Sequence, residues 1–260
     1  MDPAVNVTAD LLAQAGVLNP AHWTAPLTSA CLAQQITTPQ RLAGFLANVL
    51  HESMNLSRVC ESLDYTPPRL RQIWPQRFSV ADADRMARTV EHPADQRAIA
   101  ERAYGGRMGN RAEGSGDGWA FRGRGPMQVT GRDGYEVETK ATGLDLMAVG
   151  AWLETPEGGS LSAARYWNTH GCNGMADRMD VTGFRQAVNG GLLGLDAVTV
   201  RWRTLLGLLG VSLTARPLSP GMQRPPVGVV SRQQSMADDA ATTALNDAEM
   251  ARIAQGAGER

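Results

Sequence analysis

Scarcity narrows this chain before any motif does. Three cysteines occur, Cys31, Cys60 and Cys172, widely spaced and with no Cys-x-x-Cys pair. An odd number at such intervals indicates neither a disulfide framework nor a metal site, and small buried hydrophobes are the expected state. No run of about twenty apolar residues is present, so no membrane insertion is expected. The amino terminus also lacks the charged-then-apolar order of a signal peptide, and accumulation in the cytoplasm is the corresponding expectation. An excess of charge of either sign is nearly absent: the formal net charge is -1, and nothing demands nucleic acid as a partner. Lys140 is the sole lysine, from which no function is read.

Two common catalytic or binding motifs are missing as well. His51-Glu52 would open a zinc-protease motif, but the second histidine required four residues after the first is Asn55. Gly114-Ser115-Gly116-Asp117-Gly118 has the glycines of a phosphate cradle, yet no Lys-Ser/Thr pair follows, and Trp119, Phe121 and a Gly-Arg-Gly-Pro turn stand where a long helix should begin. This stretch reads instead as a flexible loop. No cofactor is expected.

The chain has 260 residues and 43% hydrophobic content, enough for one sizeable core. A domain over 1–211 is expected, then a linker over 212–230 marked by Pro217, Pro220, Gly221, Pro225 and Pro226. The tail, 231–260, is polar and too poor in apolar residues to bury much. It is expected to be disordered or marginally helical, with Ala237 to Ile253 as the helical stretch. Helices are expected over Val7–Leu12 with a break at Asn19-Pro20, around Pro26–Gln34, from Thr38, from Thr66-Pro67-Pro68 to Pro75, from Ser79, from Pro93 through Ala103, and over Ser160–Trp167, Val181–Val188 and Leu195–Leu209. Ala120 to Thr130 carries strand formers among many glycines, which allows at most a small irregular sheet.

The chemistry-bearing segment closes the third helix. Thr38 is a credible N-cap and Pro39 a first helical residue, and Leu42, Phe45, Leu46, Val49 and Leu50 fall at helical spacing. Glu52 continues the Phe45, Val49 row. An acid at the edge of an apolar stripe and in the last helical turn loses hydration and faces the negative end of the helix dipole, and both effects raise its pKa. Glu61 lies beyond the helix in a polar, proline-containing segment, where a carboxylate stays ionised. Two carboxyls of different environment are the minimum equipment for acid/base cleavage of a glycosidic bond. A solvated helix-end Glu52 is the plainer alternative. Cys60 beside Glu61, with His51 near, leaves a cysteine peptidase conceivable.

Further motifs follow: Tyr104-Gly105-Gly106-Arg107-Met108-Gly109-Asn110, then Gly116-Asp117-Gly118-Trp119-Ala120-Phe121-Arg122-Gly123-Arg124-Gly125-Pro126-Met127-Gln128-Val129-Thr130-Gly131-Arg132, then Val188-Asn189-Gly190-Gly191. Together with His51-Glu52-Ser53 and Glu61-Ser62-Leu63-Asp64-Tyr65, in this order over about residues 5 to 210, the chain resembles glycoside hydrolase family 19, especially its phage endolysin and bacterial lysozyme-like branch. The resemblance implies a mainly α, lysozyme-like α+β fold with a helical bundle around a sugar-binding cleft. It also implies an inverting mechanism, with Glu52 matching the general acid and Glu61 the general base, their carboxyls roughly 6.5 to 9.5 Å apart to admit a water.

Gln128 and Thr130 match cleft-lining positions, the Thr130 hydroxyl helping to hold the water, and Asn189 matches a sugar-binding amide. Tyr104 is a further substrate-binding candidate. Trp119 either stacks on a sugar or anchors its loop in the core. Arg122 and Arg124 either bind substrate and support the carboxylates, or tether backbone carbonyls. Three positions depart from the family pattern. Gly134 replaces an asparagine, Leu193 a polar or acidic residue, and Val198 an arginine, with Arg201 as a possible substitute one helical turn later.

The implied activity is endo-cleavage of β-1,4 bonds between amino sugars of bacterial peptidoglycan. A chitinase acting on chitin oligomers and an inactive glycan-binding protein are the rivals. The charge balance lacks the basic excess that carries many wall-lytic enzymes to an anionic wall. Without an export signal such an enzyme needs a holin pore, cell lysis or a secretion machine, and as an interbacterial toxin it would have an immunity protein as partner.

Overall fold

The computed structural model describes residues 6–212. The linker expected over 212–230, Ser212 apart, and the tail expected over 231–260 lie outside the described residues. The described chain is built from α1 (Ala9–Gln14), α2 (Pro20–Ala33), α3 (Pro39–Glu52), α4 (Pro67–Ile73), α5 (Val80–Met86), α6 (Gln96–Tyr104), α7 (Asp117–Ala120) and α8 (Gly131–Thr142). A 3-10 turn over Gly150–Glu154 leads into α9 (Pro156–Thr169), α10 (Cys172–Asp177), α11 (Val181–Asn189) and α12 (Leu195–Leu208). The mainly α architecture implied by the sequence is the one observed, and among the described residues pairing between extended segments is reduced to two isolated antiparallel bridges, Cys60 with Arg124 and Arg124 with Val129.

α3 is the spine of the larger core. Thr38 caps it by accepting a hydrogen bond from Arg41 N at 3.2 Å, and Pro39 occupies the first turn, where its missing N–H costs nothing. Every residue from Leu42 to Leu50 is buried, so the helix is wrapped on all sides rather than along one stripe. Each fully buried Leu, Phe or Val contributes about 1.5–3 kcal/mol relative to exposure. Around α3 lie Trp23 and Leu27 of α2, Ala163 and Trp167 of α9, Phe184 of α11, and Val198, Trp202, Leu205 and Leu206 of α12. A second core joins α4, α5 and α6 through Leu70, Ile73, Trp74, Phe78, Met86, Ile99 and Tyr104. A small third one, of Phe121, Tyr135, Leu146 and Leu153, sits beneath the glycine-rich middle of the chain.

Several boundaries differ from expectation for identifiable reasons. α2 runs from Pro20 and carries Pro26 inside it, although a proline was expected to open a new helix. Burial of Trp23, Leu27, Ala30 and Cys31 along one face outweighs the lost backbone bond. α6 begins three residues after Pro93, at the side-chain cap that Asp95 makes to Ala98 N at 3.0 Å. α8 was not anticipated, because Gly131 and Gly134 weaken its pattern; Tyr135 and Glu138 are its inward anchors.

Candidate active site

Glu52 is the last residue of α3, and its carboxyl is held by the Arg185 guanidinium of α11 in a direct ion pair. Arg185 is fully buried, whereas the Glu52 side chain keeps 15% of its exposure, so the pair opens to solvent only on the carboxyl side. The same guanidinium donates from Nε to Leu193 O at 2.6 Å and from Nη1 to Asn48 Oδ1 at 3.3 Å. The departure at Leu193 is thus accommodated by a backbone carbonyl, which serves as an acceptor whatever the side chain. Gly194, at φ +70, makes the approach possible: a Cβ there would lie 2.5 Å from His51 Nε2 and 3.4 Å from Arg185 Nη2. The expected environment of Glu52 therefore needs correction, since an apolar stripe and a helix dipole alone do not describe it. Arg201 donates to Ala15 O at 3.2 Å and to Asn55 Oδ1 at 2.7 Å, tying α12 to the turn after α3.

That turn fixes the route from Glu52 to Glu61. Met54, Asn55 and Leu56 all take positive φ, and Ser53 donates from its hydroxyl to Val49 O at 2.6 Å while accepting from Leu56 N at 3.0 Å. The chain then runs antiparallel to 123–125, with Glu61 N donating to Gly123 O at 2.9 Å and Gly125 N to Val59 O at 2.8 Å. The Glu61 carboxyl accepts from Gly123 N at 3.1 Å and from the Tyr104 hydroxyl. Gly123 is the hub of this wall. A Cβ on it would meet Gln128 Oε1 at 2.5 Å, Thr130 Oγ1 at 3.2 Å and Glu61 Cβ at 3.3 Å. Three of the residues singled out from sequence therefore converge on the space that a Gly123 side chain would fill. Thr130 gives its proton to Gln128 O at 2.9 Å, which leaves its oxygen lone pairs to receive a bond from a ligand or water.

Tyr104 takes a different place from the substrate contact expected of it. It is 1% exposed and packs edge-on against Trp74 in the second core, with only its hydroxyl reaching Glu61. It is a positioning residue for that carboxyl. Arg124 resolves toward the tether, because it is buried and donates to Glu154 Oε1 at 2.6 Å, Ala120 O at 2.5 Å and the Tyr135 hydroxyl at 2.6 Å. Burial pushes Tyr135 up to about 12, so it stays a neutral donor, here to Arg122 O at 2.8 Å. Arg122 covers the Trp119 ring at 3.9 Å from its centroid and donates to Trp119 O at 3.0 Å. Trp119 accordingly anchors its loop against the second core, its ring occupied by a cation.

The loop expected to be flexible is pinned. Buried Glu101 accepts from Gly114 N at 3.1 Å, Gly116 N at 3.0 Å and Trp119 N at 2.9 Å. Buried Asp117 holds Arg111 and Arg132 at 2.8 and 2.9 Å. Neither acid was given a role from sequence; the available signal was an acid one helical turn before a glycine pair for Glu101, and an acid between glycines for Asp117. A further residue missed there is Tyr166 of α9, whose hydroxyl donates to Val188 O at 3.2 Å, next to Asn189. Burial pushes its phenol up, with smaller contributions from Cys172 and from the Glu52 charge. Asn189 ends α11 and is 92% buried, its Oδ1 making no hydrogen bond within the described protein. Cys60 has its thiol pushed up by burial and lies between Arg122 and Glu154, which disfavours the thiolate a cysteine peptidase requires. A Cβ on Gly134 would make an ordinary van der Waals contact with Val129 Cγ1 at 3.5 Å, so a side chain is sterically tolerable there.

No family profile matches the chain. It is 35% identical over 172 residues to a glycosyl hydrolase family 19 domain-containing protein of Haemophilus influenzae, covering 63% of this chain and 78% of that one. Its fold is similar to that of chitinase C from Streptomyces griseus HUT6037, with TM-score 0.52 and 19% identity over 79% of this chain and 77% of the other. A second solved structure, of a bacterial family 19 chitinase, matches with TM-score 0.50 and 20% identity over 79% of this chain and 96% of that one. The likeness to the Haemophilus influenzae protein, on a fold shared with solved family 19 chitinases, makes this chain a glycoside hydrolase. The chain belongs to glycosyl hydrolase family 19.

Proposed function

We propose that this enzyme cleaves β-1,4 bonds of the peptidoglycan glycan strand with inversion, Glu52 acting as general acid and Glu61 as general base. The observation that carries the assignment of the base is the convergence at Gly123. Glu61 is gripped by a backbone N–H and a phenol, with the Gln128 amide and the Thr130 hydroxyl oxygen beside it. A water that donates one proton to Glu61 finds in Thr130 a second acceptor, which would align its remaining lone pair toward the anomeric carbon. Glu52 precedes the 53–58 turn and Glu61 follows it; the Glu52 carboxyl is oriented by Arg185 and keeps 15% of its exposure, which leaves it accessible for delivery of a proton to a leaving oxygen.

Preference for peptidoglycan over chitin rests on the family branch the motifs resemble and on the aromatic side chains. A bare chitin chain is gripped by stacking on open aromatic faces. Among the described residues, no Trp, Tyr or Phe is a strongly exposed side chain, and the two aromatics nearest the Glu61 wall are committed, Tyr104 to the core and Trp119 to Arg122. Chitin cleavage is the second reading, favoured by the names of the solved relatives. Export by a holin or secretion machine, and pairing with an immunity protein, belong to the same proposal. Equal enzyme given purified Gram-negative peptidoglycan and soluble chitin oligomers, with mass spectrometry locating the cut, tests the substrate. Faster hydrolysis of chitin would make the second reading correct. Glu52→Gln and Glu61→Gln should each lose at least ~100-fold in turnover with the fold intact.

A further inference from the structure

Between the two carboxyls, three residues in succession take a backbone conformation that side chains disfavour. Met54, Asn55 and Leu56 have φ of 49°, 58° and 63°. Single residues visit this left-handed region, asparagine among the most readily, but a run of three is unfavourable at each step unless the surrounding structure fixes it. Met54 contributes little to the fixing, its side chain being 51% exposed. Leu56 is buried in the larger core, and its N–H is held by the Ser53 hydroxyl at 3.0 Å. The backbone is closed on both sides by Asn55 N donating to Leu50 O at 2.8 Å and Arg58 N to Ser53 O at 2.9 Å.

The remaining hold is on the Asn55 side chain. Its Oδ1 accepts from Arg201 Nη1 of α12 at 2.7 Å, and the same nitrogen donates to Ala15 O, at the C-cap of α1, at 3.2 Å. Gly16 borders the other end of the amide: a Cβ there would stand 3.2 Å from Asn55 Nδ2. The end of α1, the turn after α3 and α12 therefore meet at Asn55. This bears on the chemistry through the path of the chain. α3 ends at Glu52, the turn reverses the local handedness, and the chain then pairs through Glu61 N with Gly123 O at 2.9 Å. The angles at 54–56 thus set where the Glu61 segment begins relative to Glu52. An inverting pair must leave room for one water, with carboxyls roughly 6.5 to 9.5 Å apart, and a misplacement of about 1 Å costs about 100-fold.

We propose that Asn55 and Arg201 are positioning residues for the acid and the base, their hydrogen bond locking the left-handed turn that sets the separation of the Glu52 and Glu61 carboxyls. This rests on the two-carboxyl reading and deepens it. Asparagine serves twice, since it tolerates the left-handed backbone and offers the acceptor. Glycine keeps only the first property, and aspartate keeps both.

The test measures kcat and KM of Asn55→Gly and Asn55→Asp on whichever soluble oligomer, of chitin or of peptidoglycan, the wild-type enzyme cleaves faster, at a temperature where calorimetry shows each variant folded. Asn55→Gly should lose about 10-fold or more in kcat with KM nearly unchanged, because spacing is felt in the transition state rather than in binding. Asn55→Asp should recover most of that loss. A purely structural contact would lower Tm and leave kcat of the folded protein alone. Wild-type kcat in Asn55→Gly, a rise in KM in place of the fall in kcat, or an equal loss in both variants overturns the proposal. Should Asn55→Gly fail to fold, Arg201→Met breaks the same bond from α12 and is read in the same way. Glu52→Gln and Glu61→Gln are measured alongside: inactive carboxyl variants with an unaffected Asn55→Gly overturn the positioning pair alone, and active carboxyl variants overturn the two-carboxyl reading with it.

Discussion

Arg185→Met tests how Glu52 is held. The methionine preserves length and apolar stem but removes a guanidinium that is fully buried and serves Glu52, Asn48 Oδ1 and Leu193 O. Breaking a buried ion pair by deleting one partner costs about 3–5 kcal/mol, and here the lower end applies, because Glu52 keeps 15% exposure and can recruit water. For a domain of this size about 3 kcal/mol lowers Tm by about 6–12 °C. Turnover should fall further than stability explains, by about 10–100-fold at a temperature where the variant is fully folded, since the carboxyl loses its orientation. Calorimetry and initial rates on one substrate read both quantities. The double variant with Glu52→Gln sharpens the test. Each single change strands a partner, so the two stability losses should sum to about 2 kcal/mol more than the double variant loses. Additive losses, or an Arg185→Met enzyme with wild-type Tm and kcat, would refute the reasoning.

Three other outcomes follow from the Glu61 wall and its supporting loop. Tyr104→Phe removes the hydroxyl on Glu61 and nothing from the core packing; kcat should drop about 10-fold or more with Tm nearly unchanged, and an unaltered kcat would deny the tyrosine its positioning role. Gly123→Ala drives a methyl into Gln128 Oε1, Thr130 Oγ1 and the Glu61 stem, so activity should fall at least about 100-fold; a crystal structure with those side chains unmoved would contradict this. Asp117 is held well below the usual carboxylate range, by the Arg111 guanidinium first, against burial, and then by Arg111 N–H and Arg132. Its folded pKa lies below its unfolded value near ~3.9, so its stabilisation is present above that value and fades as pH falls through the folded one. Asp117→Asn should thus be less stable at pH 7, with the gap closing below about pH 4 in denaturant titrations; a pH-independent gap would count against the ion pairs.

Much of this arrangement was legible in residues that act locally. The Thr38 cap, Pro39 and the apolar spacing of α3 placed Glu52 at a helix end, and the glycine-rich run announced a loop rather than a helix or strand. The partners of the carboxyls were not legible, because they come from distant chain. Arg185 lies on the buried face of α11 with Phe184 and Val188, where a cation has no place unless an acid meets it, and only the packing of α11 against α3 reveals which acid. Tyr104 entered the substrate-binding candidates with the motif it opens, yet the second core claims its ring. α8 and α10 escaped notice since glycine and short length hide a helix that tertiary burial sustains.

The most direct test of the central claim is the anomeric form of the first product, read by proton NMR on a defined soluble substrate before mutarotation. A water activated by Glu61 on the face opposite a leaving oxygen protonated by Glu52 must invert the anomeric centre, and the new reducing end should appear as the α anomer. Initial accumulation of the β anomer would contradict the two-carboxyl, single-displacement account.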